Sequence, residues 1–551
     1  MEQGAGCQAD VVVFFHRGWR PRLRGVLPYN LAMPLSGAHL IDGRWQSSKP
    51  VFSAFDPATG VQLPVEFSQA GQTEVDAALA AAIGAFAADL EHGWQARLLE
   101  SIAVNIEKLG PGLLDRAHSE TALPMPRLTG ERGRTINQLK QMAERVREGS
   151  WVEASIDTAD PDRQPLPKPD VRRMRVPRGP VAVFGASNFP FAFGACGNDT
   201  AAALAAGCPV IVKGHPLHPG SSELFASAVL AALEETNLPR GLYSLLQGPS
   251  PEFSRQLVSH PDLCAVGFTG SRKAGRAVFD IAAQRTRPIP VFAEMGSLNP
   301  LVLLPRAIRD RGEQIAKDLA ASILLGAGQF CTKPGLILTI GPEREFFAKL
   351  AGHLKNSAPL TMLSSRLRDG YEQVVRRWTG TSNVHTLLGG EPTGHANITP
   401  SLFQTTAANF AEQNALQEEA FGPAALAVDC RSDEIQRVLQ TIGGGLTGSI
   451  HFSSGDDCKP ILHALAKFVG RVVFNGYPTG VEVCHSMMHG GPYPATTDGS
   501  WTSVGTSSIS RFVNLRAYQN TPDDLLPQEL QKSNPLGILR TVNGRLTKDP
   551  A

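Results

Sequence analysis

The stretch VAVFGASNFPFAFGACGNDTAAALAAGCPVIVKG (181–214) sets the fold class. VAVFGAS (181–187) is an apolar run of strand length, residues 196–206 are small and helix-forming, and PVIVKG (209–214) is a second apolar run. A strand, a helix and a strand in that order predict a parallel pair, because parallel strands need a crossover. The pattern then repeats: a helix over Gly220–Glu235 opening with Ser221 and Ser222, a strand at LYSLLQG (242–248), a short helix, a strand at AVGFTGS (265–271) and a helix through Arg285. Alternation of this kind predicts an α/β chain with a doubly wound parallel sheet and ligands at the carboxyl ends of its strands. The first turn, GASNFPFAFG, lacks the GxGxxG fingerprint, so the pattern alone supports a nucleotide only weakly.

Upstream, AHLIDGRWQSS (38–48) predicts a hairpin turning at Asp42-Gly43, and helix spacing follows over 73–108, Leu113–Ala122 and Glu131–Glu148. Residues 152–178 are rich in prolines and charges that forbid a regular helix, so this segment reads as an exposed arm. Downstream, a strand at 299–305, a helix over Arg309–Leu325, a strand at GLILTI (335–340) and a helix over Glu343–Asn356 predict a second α/β domain starting near residue 295. Two glycine-rich loops follow, at 443–448 and 474–498, and RFVNLRAYQNTPDDLLPQEL (511–530) leads into a proline-punctuated tail.

The 551 residues are too many for one core, and 42% hydrophobic with 19% charged residues is ordinary for a globular protein. A net charge of +1 leaves no global field for nucleic acid or an acidic membrane, and no run of eighteen apolar residues predicts a span. Eight scattered cysteines, with no CxxC pair and no zinc spacing, are expected to be reduced thiols in a cytoplasmic setting, with no metal site. ADVVVFFHRGWRPRLRG (9–25) puts its apolar run before its arginines, the wrong order for a signal peptide, and residues 1–33 are expected to be a disordered extension.

Most cysteines are small buried hydrophobes, but GAGQFCTKPG (326–335) sets one between a glycine-rich approach and a proline. A free thiol titrates near about 8.5 and acts as thiolate, so Cys331 needs help; Gly326 and Gly328 permit close backbone approach, and Lys333 adds a positive charge two residues on.

SNFPFAFG (187–194), VKGHP (212–216), FTGS with EMGSLNP (268–271 and 294–300), GQFCTKP (328–334) and EEAFGP (418–423) stand in one order along the chain. Together they resemble the aldehyde dehydrogenase superfamily, from about residue 36 to 540. The wording VKGHPLHPGSSE, GQFCTKPG and VEVCHSMMHGGPYPATTD is similar to its α-ketoglutaric semialdehyde (2,5-dioxopentanoate) dehydrogenases and related NADP-using enzymes. The resemblance implies that Cys331 adds to an aldehyde, that Asn188 and the cysteine N–H hold the oxyanion, and that Glu294 activates the water that cleaves the thioester. Burial is expected to raise the Glu294 pKa and improve it as a base. Taken alone, Asn188 reads equally as a turn residue and Glu294 as a salt-bridge partner.

For the cofactor the resemblance implies Lys213 on the adenosine ribose, Gly270 and Ser271 beside the pyrophosphate, and Glu419 with Phe421 at the nicotinamide side. NAD-preferring relatives commonly place a glutamate three residues after that lysine; here the position is Pro216, which removes a repulsive charge, and His215 is a further donor for a 2′-phosphate. NADP is therefore expected to serve at least as well as NAD.

On the substrate side, GERGRTINQLK (130–140) matches a helix bordering the aldehyde tunnel. Arg132 and Arg134 are two residues apart, so at most one faces it; Arg134 is favoured as the carboxylate clamp, with Phe189 and Phe193 as the apolar wall. His485 and His489 lie in the matching anchor loop, either as thiol neighbours or as hydrogen-bonded loop residues. An aliphatic-aldehyde dehydrogenase, a coenzyme A-acylating relative, a silent binding protein and a cysteine hydrolase using Cys331 with His485 or His489 are the other readings. Three parts are expected: a dinucleotide domain from 34–150 and 179–293, a catalytic domain from 294–500, and a small β arm from 151–178 with the tail 501–551, assembling a homodimer or homotetramer.

Overall fold

The computed structural model describes residues 35–551; the expected N-terminal extension lies outside them. The first seven-stranded sheet runs in space Val291–Met295, Ala265–Gly270, Val181–Phe184, Val210–Lys213, Tyr243–Leu246, His39–Ile41, Arg44–Gln46. The first five strands of that order are joined by four parallel pairings, and the hairpin at the edge pairs antiparallel, both within itself and to Tyr243–Leu246. That hairpin turns through Asp42 (φ 49°) and Gly43 (φ 71°), the left-handed pair that matches strand twist. Strand order reverses between Val181–Phe184 and Ala265–Gly270, which opens a crevice at their carboxyl ends.

The second sheet runs His385–Leu388, Ser401–Thr406, Ala424–Cys430, Leu336–Ile340, Pro300–Leu303, Gly445–His451, Val469–Phe474, parallel except at His385–Leu388. Both sheets are buried on two faces, which explains their unbroken Val, Ile, Leu and Ala runs. Their polarity relative to the cleft differs. Glu294 ends a strand of the first sheet, whereas Asn299, Cys331 and Glu419 all precede strands of the second. The crevice is thus closed by carboxyl ends on one side and amino ends on the other.

The helical reading of 73–108 divides into Gln72–Phe86 and Trp94–Lys108, broken at Gly93 (φ 79°). The helix expected from Glu131 starts at Met125, because Pro124 and Pro126 suit a helix entry. The arm segment forms strands Ser155–Asp157 and Val171–Pro177, the latter laddered along its length with Val513–Gln519. The tail folds as well: Arg540–Val542 and Arg545–Thr547 complete this five-stranded sheet. Among the described residues no helix is long and apolar enough to cross a membrane.

Candidate active site

The nucleophile loop is held in an unusual backbone. Gly326 (φ 58°), Ala327 (φ 56°) and Gly328 (φ 69°) are successively left-handed, and a Cβ on Gly328 would stand 2.3 Å from the Gly422 carbonyl. Asn299, itself left-handed and fully buried, donates its amide to the carbonyls of Cys331 (2.7 Å) and Lys333 (3.0 Å). These contacts fix the height of Cys331 above the second sheet.

Around the thiol, His489 Nε2 lies 3.7 Å from Cys331 Sγ and 3.0 Å from Glu294 Oε1. The ligand atoms of Glu294, Cys331 and His489 all fall within 4.8 Å of one another. Ser503 donates its hydroxyl to Glu294 Oε2, and both its N–H and its hydroxyl also bond the His489 carbonyl. Asn188 donates its amide to Gln329 O at 2.8 Å, which brings the loop after the first strand against the nucleophile loop. The Cys331 N–H makes no hydrogen bond among the described residues.

Burial pushes the Cys331 thiol well above its ordinary value; the charge of Glu294 and its hydrogen bond, then the charge of Glu419, push it further, and Arg134 pulls it back. The expected rise in Glu294 is overturned. Burial does push it up, but the charge interaction with His489 and hydrogen bonds from His489, Ser503 and Cys331 outweigh this and hold the carboxyl below its usual range. Lys333 also departs from expectation. Its ammonium turns away from the thiol and donates to the carbonyls of Ala420 (2.9 Å) and Ala424 (2.6 Å). The two histidines separate: His489 is buried at the thiol, while His485 is exposed and bonded to the Thr506 hydroxyl.

Arg134 sits 5.8 Å over the Phe189 ring and 5.9 Å from the Phe193 ring, with its Nε buried and unpartnered. Cys331 and Glu294 are among the charges that act on it. Arg132 points the other way, to the Gly110 carbonyl. Two neighbours on the same helix escaped the sequence reading. Glu131 accepts from the N–H groups of Phe191 (2.8 Å) and Ala192 (3.0 Å), and Arg127 donates to the Asn188 carbonyl while covering Phe189 and Phe330. The signal available for them was spacing: positions 127, 131 and 134 share one helix face. Ser297 and Leu298 tie their loop to its neighbours, the Ser297 hydroxyl accepting from the Leu446 N–H and the Leu298 carbonyl from the Gly335 N–H.

The residues read for a dinucleotide differ in their settings. Lys213 has no carboxylate partner among the described residues, and burial pulls its ammonium down to about 8. His215 Nδ1 accepts from Leu217 N, which leaves Nε2 to carry the ring proton; burial, then His218, then Lys213 hold it neutral. Ser271 caps the helix Arg272–Ala283, after Gly270, at the crevice. Glu419 Oε1 is buried without a hydrogen bond, and a Cβ at Gly296 would stand 1.9 Å from Oε2, so glycine there leaves room for the carboxylate. Phe421 is half-buried in the same loop.

A double sheet closing on a cysteine, a buried glutamate and an asparagine amide defines a class that the comparisons identify. Residues 45–514 match the aldehyde dehydrogenase family, and the chain belongs to it. Two curated relatives bear on the particular protein. The chain is 46% identical to alpha-ketoglutaric semialdehyde dehydrogenase 2 of Azospirillum brasilense, over 93% of this chain and 98% of that one. It is 41% identical to alpha-ketoglutaric semialdehyde dehydrogenase of Acinetobacter baylyi, over 93% and 99%. Betaine aldehyde dehydrogenase of Staphylococcus aureus, solved with NAD+, shares the fold at a TM-score of 0.74 and 19% identity, covering 89% of this chain and 96% of that one.

Proposed function

We propose that this enzyme oxidises 2,5-dioxopentanoate to 2-oxoglutarate through a thiohemiacetal and a thioester on Cys331. The observation that carries the substrate reading is Arg134, a half-buried arginine whose buried Nε is unpartnered and whose guanidinium lies above an aromatic wall. The names of the two relatives, at 46% and 41% identity, support the same substrate.

As Cys331 adds to the aldehyde carbon, its proton passes to the His489–Glu294 pair. The cluster then keeps its total charge, so no second buried anion has to form beside the carboxylate. The second N–H of the Asn188 amide and the free Cys331 N–H receive the oxyanion. A nicotinamide held in the crevice would supply the acceptor for the hydride of this carbon. Once the pair has released that proton to solvent, Glu294 is ionised again and takes a proton from the water that attacks the thioester, and the Cys331 sulfur departs as the leaving group and recovers a proton from the pair. Lys213, Ser271 and Glu419 would hold the dinucleotide, and Pro216 together with the neutral His215 donor supports NADP at least as well as NAD. The five-stranded sheet, with Val513–Gln519 as an exposed edge strand, supports assembly of two or four copies.

The test is a panel of aldehydes of similar length with and without a terminal carboxylate, assayed on wild type and Arg134→Ala. Wild type is expected to prefer the carboxylate by about 10²-fold in kcat/KM, and the variant to lose most of that preference. Equal efficiency across the panel refutes the semialdehyde reading. A preference that survives the substitution refutes only the role of Arg134.

A further inference from the structure

Lys333 is a fully buried cation whose nearest polar partners are two carbonyls and whose place two residues after the nucleophile is not explained by the chemistry above. It joins two functional loops. Its backbone belongs to the loop of Cys331, and its ammonium is bonded within the 419–424 loop, which carries Glu419. Gly328 and Gly422 approach so closely that a side chain at either would collide with the opposing segment or with Tyr371. The Glu419 carboxylate is buried, one of its oxygens has no hydrogen bond, and Lys333 is the cation that acts on it.

We propose that Lys333 is a positioning residue for the cofactor: it fastens the Glu419 loop to the nucleophile loop and supplies the counter-charge for the carboxylate that accepts from the ribose. This rests on the reading of Glu419 as the ribose-holding residue. A carboxyl group accepts two hydroxyl hydrogens well only when ionised. Burial works against ionisation of Glu419 and Lys333 works for it, with the Ser297 N–H adding to the same side. Two other titratable groups belong to this cluster: burial pulls the Lys333 ammonium itself down to about 8, with Glu419 opposing that fall, and burial pushes the Cys331 thiol well above its ordinary value. The cofactor seat and the nucleophile are therefore one mechanical unit with one internal counter-ion.

The experiment is a titration of NADP+ into the aldehyde-free enzyme, followed by tryptophan fluorescence from about pH 6 to about pH 9. It compares wild type, Lys333→Gln, Lys333→Arg, Glu419→Gln and the Lys333→Gln/Glu419→Gln double variant. The sign follows from linkage. Without the lysine charge the carboxyl ionises at higher pH, so Lys333→Gln binds more weakly, by about tenfold, in the middle of the series. The gap closes at the acid end, where both enzymes hold a neutral carboxyl, and at the alkaline end, where the wild-type lysine, pulled down to about 8 by burial, has itself lost its charge and both hold a carboxylate. Glutamine retains N–H donors for the two carbonyls, and Lys333→Arg is expected to recover most of the affinity lost with glutamine. In the Glu419→Gln background, Lys333→Gln should add less than about twofold. A gap of equal size at every pH, or no gap, overturns the proposal while leaving the ribose reading standing. Wild-type affinity in Glu419→Gln instead removes the ribose reading itself.

Discussion

The loop that carries the nucleophile and the loop that carries its neighbour are built on opposite plans. Residues 326–335 take their course from their own backbone, three consecutive left-handed residues, on which Gly422 and Asn299 then press. The 481–503 loop has no such run and is held to other segments: Gln141 donates to the Val483 carbonyl, the Met295 N–H to the Ala495 carbonyl and the Thr497 N–H to the Ala293 carbonyl. Within it the His489 N–H donates to Thr502 and its carbonyl accepts from Ser503, and the ring reaches out to Glu294. An internally strained loop announces itself in composition, and an externally braced one does not.

The sharpest break in this comparison comes from the nucleophile itself. Cys331→Ala is expected to lower aldehyde oxidation by at least about 10⁴-fold, because sulfur addition precedes every later step. NADP+ affinity should change by less than about twofold, since the loop backbone is set by Gly328 and Asn299 rather than by the thiol. Activity and fluorescence titration on the same preparation check both halves, and substantial turnover removes Cys331 from the mechanism.

Legibility followed the same division. The parallel first sheet was readable because buried strands alternate with helices at recognisable lengths, and Cys331 and Glu294 sit in short strings tied to strand ends. The ionisation of Glu294 was not readable: its burial was foreseen, but the contacts that reverse the sign come from His489 and Ser503, the latter 209 positions further along the chain. Lys333 misled for a related reason. Two residues of sequence separation place its Cα near the thiol, yet the ammonium lies at the end of four methylenes and is claimed by Ala420 and Ala424. The strands of the tail were not legible, because they are three residues long and become regular only against Ser155–Asp157.

A smaller effect sharpens the anchor-loop side. His489→Asn removes the ring between Cys331 and Glu294 and is expected to lower kcat/KM by about 10–10²-fold, within the range of a positioned proton-transfer group. His485→Asn should stay within about twofold, because that ring is exposed and meets only the Thr506 hydroxyl. Parallel steady-state assays decide between them. Equal losses in the two variants would mean that the loop responds as a whole and that the His489 ring has no separate role.

The smallest change compares a glycine of the Cys331 loop with the one that immediately precedes the 481–503 loop. Gly328→Ala forces a Cβ to within 2.3 Å of the Gly422 carbonyl while φ stays at 69°, so alanine faces both a collision with backbone and a strained conformation. A cost of about 2 kcal/mol or more is expected, with a lower midpoint of thermal unfolding and slower turnover as Cys331 shifts. Gly480→Ala meets nothing within 4 Å and has no left-handed backbone to violate. Its stability should change by less than about 0.5 kcal/mol, and a slight gain is the expected sign, because alanine narrows the unfolded ensemble without straining the folded chain. Thermal unfolding of both variants with bound NADP+ reads the difference. Comparable losses at the two positions would show that the entry to the anchor loop is as tightly fixed as the nucleophile loop, and the contrast between internal and external bracing would fail at that point.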